Sequence, residues 1–138
     1  MWSEPNLCTG GAEAGAHTLT SALHQYGSAI TELVDEHCQE YPPGTPPLPE
    51  TEVAQLAGQI PGWERDARGL TREFRFEDFG GAFGLVARVA LLAEAEGHHP
   101  HMELEWGRAA FTTWTHTAAG LTRNDFILAA KIDQLARV

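Results

Sequence analysis

Two adjacent histidines, His98 and His99, are closed by Pro100, and a third, His116, follows eighteen residues after His98. An unperturbed imidazole titrates near about 6.5, so it can take and give a proton close to neutrality. Three of them around one turn and one hairpin point to proton-transfer chemistry or to a metal site. Glu94 stands one helical turn before His98, where a carboxylate can hold an imidazole in one tautomer and raise its basicity. A metal site would use His99, His101 and His116 as three nitrogen ligands. Against it, Pro100 breaks the alternation that would put His99 and His101 on one side of a strand, and no set of carboxylates behind all three rings is evident. The bland alternatives are a solvated helix C-terminus for His98-His99, where cationic imidazoles suit the helix dipole, and a surface strand end for His116. Trp106 and Trp114 read as core or interface aromatics.

The elements that must position these residues follow from apolar spacing. Asp78 can cap a long helix whose stripe runs Phe79, Phe83, Val86, Ala90, Ala93, flanked by Leu85, Val89 and Leu92, and Gly97 ends it. A helix apolar on two sides is expected to meet both a sheet and a partner subunit. After Pro100, Met102, Leu104 and Trp106 alternate with Glu103 and Glu105, Gly107-Arg108 marks a hairpin, and Ala109 to Thr115 forms the return strand. Upstream, Leu70, Phe74 and Phe76 oppose Thr71, Glu73 and Arg75, and Trp63 to Ala67 precedes them as a partner strand across Arg68-Gly69. Thr122 with Asp125 resembles a capping box ahead of a last helix carrying Leu128, Ile132 and Leu135. Glu50 to Ile60 is amphipathic and stops at Pro61-Gly62. The order helix, hairpin, helix, hairpin, helix predicts an α+β domain with a four-stranded antiparallel sheet and helices packed on one face. The sheet's other face must then be polar or covered by another chain.

Residues 1–43 read as an extension to the domain at 44–138. It comprises a tail to about residue 16, a helix from Thr18 through Leu33 and Val34, and a stiff linker, since Tyr41 to Pro49 holds five prolines in nine residues. The 138 residues suffice for one hydrophobic core. A net charge of -10 with nine scattered basic residues argues against direct binding of nucleic acid. No apolar run is long enough for a membrane span and the first residues lack the pattern of a secretory signal, so a cytoplasmic location is expected. Cys8 and Cys38 then read as free thiols.

The pattern Glu94, His98-His99-Pro100, Trp106, Thr115-His116, Gly120-Leu121-Thr122 and Asp125 resembles the signature of the pterin-4a-carbinolamine dehydratases, also called 4a-hydroxytetrahydrobiopterin dehydratases. Pro61-Gly62-Trp63, the run from Leu70 to Phe76 and Asp78-Phe79 resemble it too, and the similarity covers residues 44–138. His101, Trp114 and Gly97 depart from the family pattern, which puts substrate preference in question more than chemistry. The resemblance implies a lyase that removes water from a tetrahydropterin bearing a hydroxyl on C4a, leaving the quinonoid dihydropterin in tetrahydropterin recycling, with no metal or redox cofactor. It implies that His99 and His116 move protons at the hydroxyl and N5, that His98 takes part directly, and that the division among the three is open. It further implies substrate contacts from Trp63 beside the flat ring, from Glu94 and Gly97, and from Trp114, Thr115 and Thr117. Asp125 would orient His116 or meet the amino-pyrimidinone edge. A homodimer or homotetramer is expected. Some relatives instead bind proteins, as a dimerisation cofactor for a homeodomain transcription factor or as assembly chaperones for RuBisCO, and a scaffold role is the alternative.

Overall fold

Two hairpins supply the sheet. β1 (Glu64–Arg65) pairs with β2 (Leu70–Arg75), and β3 (His101–Glu105) pairs with β4 (Arg108–Thr113). β2 and β4 lie side by side, giving the order β1-β2-β4-β3 with every pair antiparallel. The computed structural model describes residues 32–137. Three α-helices complete the described fold: α1 (Glu50–Ala57), α2 (Phe79–Glu96) and α3 (Arg123–Ala136). This is the α+β arrangement expected from the sequence.

The side chains that alternate along the strands decide the layers. Leu70 and Phe74 of β2 share a face with Ala109 and Phe111 of β4, as the register Phe74 to Ala109 requires. Phe74 and Phe111 meet edge to face at 6.0 Å between ring centres. Leu85 and Val89 of α2, with Phe126, Leu128 and Ile132 of α3, close over that face and are essentially fully buried. On the opposite face Glu73, Glu103 and Glu105 surround the Arg108 guanidinium, whose Nε donates to Glu73 at 2.7 Å. That face is polar. Its ion pairs are largely exposed, so water and salt screen them and they add little to stability.

Helix ends follow the expected chemistry. The Asp78 side chain accepts the Gly81 amide at 2.7 Å, and Gly97 closes α2 at φ +67°, a left-handed conformation that glycine adopts without steric cost. Asp125 Oδ2 accepts the Thr122 amide at 3.0 Å within a capping box that starts α3.

Several expectations change. The buried stripe of α2 is Ala82, Leu85, Val89 and Ala93, whereas Phe79 and Phe83 are 49% and 54% exposed. Both faces of this helix are apolar, so periodicity alone could not choose between them. The first hairpin strand contracts to Glu64–Arg65, because Trp63 turns into the core and Asp66 leaves the ladder to accept the Arg68 and Gly69 amides. Trp106 ends up 72% exposed in the two-residue hairpin loop rather than on β3. The expected N-terminal helix lies outside the described residues except for its end, where Leu33–Asp35 forms a single 3-10 turn with Leu33 buried.

The chain after that turn runs along α2 and α3 rather than hanging as a linker. Glu36 accepts both Nε and Nη2 of Arg123, at 2.6 and 2.7 Å. Gln39 and Asn124 exchange two hydrogen bonds, and the Cys38 amide donates to Glu96 at 2.9 Å. Gly44 and Leu48 then donate their amides to Thr117 and Leu121. We call residues 32–43 the strap.

Candidate active site

The β3–β4 hairpin brings the histidines together. Its two-residue loop pairs Glu105 with Arg108, and the same register carries His101 to Thr112. Continuing it outward sets His98 and His99 against the segment Trp114–His116. Gly97 turns the chain out of α2 into this link, and the His98 amide still donates to Ala93 at 3.2 Å. On the other side, Thr115 bridges to Gly120 and His116 opens a 3-10 turn, His116–Ala118, instead of extending the strand.

Between these segments lies a cavity of about 720 Å³, lined by Gly97, His98, His99, the run Trp114–Thr117, Asn124, and strap residues Gln39 to Pro43. Its size falls in the range of small-molecule sites, roughly 300 to 1,000 Å³. The three histidines share this one hollow. Gly97, Trp114, Thr115 and Thr117, substrate contacts that the resemblance implies, line it as well.

Each imidazole is held differently. His98 is nearly buried, and its Nε2 lies 2.7 Å from Asp125 Oδ1 and 3.1 Å from Thr113 Oγ1. Asp125 is fully buried and also accepts the hydroxyls of Thr113 at 2.7 Å and Thr115 at 2.8 Å, besides the Thr122 amide. A carboxylate only accepts hydrogen bonds. With the Thr113 hydroxyl donating to that carboxylate, His98 must carry its proton on Nε2, which leaves a lone pair on Nδ1. His116 is arranged the other way: the Trp114 indole donates to its Nδ1 at 3.3 Å, with the rings crossing at 5.3 Å between centres. Neutral His116 therefore carries its proton on Nε2. His99 is exposed, with Nε2 3.1 Å from Glu94 Oε1. One hollow thus gathers an imidazole backed by a buried carboxylate and a second imidazole held by an indole N–H.

Three expected placements are corrected. Asp125 orients His98 rather than His116, and under four donors it cannot reach a ligand edge. Glu94 holds His99 at the rim and is not part of the cavity lining. Trp63 is not there either: its ring is buried and its Nε1 donates at 2.8 Å to Asp133 Oδ1, the oxygen that also takes Arg72 at 2.8 Å. A buried indole N–H needs an acceptor, and α3 supplies one deep in the core. Among the described residues no three His, Cys, Asp or Glu side chains are grouped so as to hold a metal ion.

Other residues of the site were missed. Thr113 was legible only as a strand position, although its alternation onto the core face is what delivers its hydroxyl to Asp125. The strap residues and Asn124 carried no local signal, because their contacts span more than eighty residues.

A four-stranded antiparallel sheet under helices, with paired histidines at one end of the β3–β4 hairpin, defines a histidine-lined α+β domain with a cavity of small-molecule size. The chain belongs to the pterin 4 alpha carbinolamine dehydratase family, whose model matches residues 46–135. It is 46% identical over 107 residues to a protein of Rubrobacter xylanophilus provisionally named pterin-4-alpha-carbinolamine dehydratase, covering 77% of this chain and all of that one. A similarly named protein of Gloeobacter violaceus is 43% identical over 108 residues, covering 75% of this chain and 93% of the relative. Among solved structures, one from Brucella melitensis described as a transcriptional coactivator/pterin dehydratase matches with a TM-score of 0.62 at 35% identity, covering 65% of this chain and 98% of that one.

Proposed function

We propose that this chain removes water from a 4a-hydroxytetrahydropterin to give the quinonoid dihydropterin, using His98, His99 and His116 to move the protons. The observation that carries the reading is the convergence of three imidazoles on one cavity, one of them backed by a buried carboxylate. His98 is the base. Its Nδ1 takes the proton from N5, and Asp125 stabilises the imidazolium that forms. The N5 electron pair becomes the N5=C4a double bond as the C4a–O bond breaks. The departing oxygen takes a proton and leaves as water, so the two protons balance. His116 directs its Nε2–H at that oxygen, and His99 at the rim serves the same end of the ring. Positioned acid and base groups typically contribute about 10² to 10⁴-fold each.

The family supports a pterin as the small-molecule substrate. The exposed Phe79, Phe83 and Leu91 on α2 support a homo-oligomer. No helix of the described residues is long and apolar enough to cross a membrane, and we take the site of action to be cytoplasmic.

The test is the rate of quinonoid dihydropterin formation from a 4a-hydroxytetrahydropterin generated in the assay. The wild type should accelerate it, and His98→Ala and His116→Ala should each lose about 10²-fold or more in kcat. A wild type with no activity rejects the enzyme reading and leaves a binding role, which the exposed aromatics would serve.

A further inference from the structure

In a pterin the 4-oxo group lies beside the reacting N5–C4a bond, but the N3–H and 2-amino donors form an edge that faces away from it. Groups that perform the chemistry therefore cannot also read that edge, and Asp125 is sealed beneath His98. A pyrimidinone edge presents the N3–H and a 2-amino N–H side by side, two parallel donors that fit the two oxygens of one carboxylate. Among the residues lining the cavity there is one carboxylate, Glu40. It is solvent-exposed, and among the described residues it has no ion-pair partner, whereas Glu36, Cys38 and Gln39 just before it are tied down. Glu36 is clamped by Arg123, Gln39 is held by Asn124 through two hydrogen bonds, and Leu33 is buried in the core. The backbone that carries Glu40 is thus fixed, and its side chain is left available.

We propose that the strap, which precedes the segment matched by the family model, is the substrate-reading wall of this site. In it, Glu40 accepts the paired N–H donors of the 2-amino-4-oxopyrimidine edge. Arg123 and Asn124 are positioning residues that hold the strap at the distance this contact needs. The inference rests on the dehydratase reading above and adds to it the group that selects a 2-amino pyrimidinone over its relatives.

Pterin and lumazine make the test, because lumazine replaces the 2-amino donor by a carbonyl oxygen, which a carboxylate repels. Titration calorimetry with the full chain should show wild type binding pterin more tightly than lumazine. Glu40→Gln should weaken pterin binding about 10- to 100-fold, the effect of losing a charge-assisted pair, and leave lumazine binding no weaker, since the repelling charge is gone. In turnover, Glu40→Gln should raise KM by a similar factor at nearly constant kcat. Arg123→Met, which frees the strap, should raise KM in the same direction, while Arg123→Lys should restore part of it. If Glu40→Gln keeps the wild-type preference and KM while the wild type dehydrates its substrate, the strap inference is overturned and the dehydratase reading stands. If the wild type neither binds pterin nor dehydrates, both fall.

Discussion

The protonation pattern of the site is written in its hydrogen bonds. Asp125 is surrounded by the His98 ring, two threonine hydroxyls and a backbone amide, all donors. Asp125→Asn keeps the shape but turns an N–H₂ group toward some of those donors and removes the charge that stabilises imidazolium at His98. Its kcat should fall by about 10²-fold with a smaller change in KM, measured by steady-state kinetics on variant that circular dichroism shows to be folded. Asp125→Ala should in addition cost about 3 kcal/mol in denaturant unfolding, since it strands several buried donors at once. Cys38 is a different kind of residue. Burial, reinforced by the nearby Glu96 carboxylate, pushes its thiol up to about 12. In a Cys8→Ser background it should react with iodoacetamide at pH 8 on the order of 10³-fold more slowly than free cysteine, because the thiolate is the nucleophile. Rapid alkylation of the native protein would show that the strap opens readily.

The strap is bound to the domain through α2 and α3, and one of its anchors titrates. Burial pushes the Glu96 carboxyl up, but Lys131, the Cys38 amide and His37 together bring it below the usual carboxylate range. A depressed carboxylate contributes stability that is present above its unfolded value, about 4.3 for Glu, and is lost as pH falls through the folded value. Strap docking should therefore weaken only in acid below about pH 4. Amide exchange at Cys38, corrected for intrinsic rates, would report it, and Lys131→Met should move the loss to higher pH. α3 also carries Asp133, the shared acceptor of Trp63 and Arg72. Asp133→Ala should destabilise the fold by about 2 to 4 kcal/mol, because it leaves a buried indole and a guanidinium unpaired. Its kcat per folded molecule should stay near the wild-type value, as befits a group outside the cavity; a large loss of kcat at full folding would return Trp63 to the site.

At the scale of the molecule, the exposed side of α2 is the feature a lone chain leaves unexplained. Phe79, Phe83 and Leu91 are 49%, 54% and 74% exposed on a helix whose other side is fully packed. Apolar side chains grouped this way mark protein contacts more often than free surface. Phe83→Glu should shift the sedimentation coefficient toward that of a monomer while the far-ultraviolet spectrum is kept. An unchanged assembly would place the subunit contact elsewhere, with the polar sheet face and its Arg108 cluster as the next surface to probe.

The amino-acid sequence by itself determined most of the described elements and set the histidines around one turn and one hairpin. Alternation marked the hairpins, with the second turn expected at Gly107-Arg108; the loop lies one residue earlier, at Trp106-Gly107, and either register makes the residues before β3 face those after β4. The capping chemistry of Asp78, Gly97 and Thr122 was legible for the same reason: each acts on neighbours within a few residues. The tertiary structure alone decided which apolar face of α2 is buried, that Asp125 serves His98, that Trp63 belongs to the core, and that the strap walls the cavity. Those outcomes depend on contacts between segments far apart in the chain, where spacing has no fixed relation to distance and burial selects one partner among several of equal local merit.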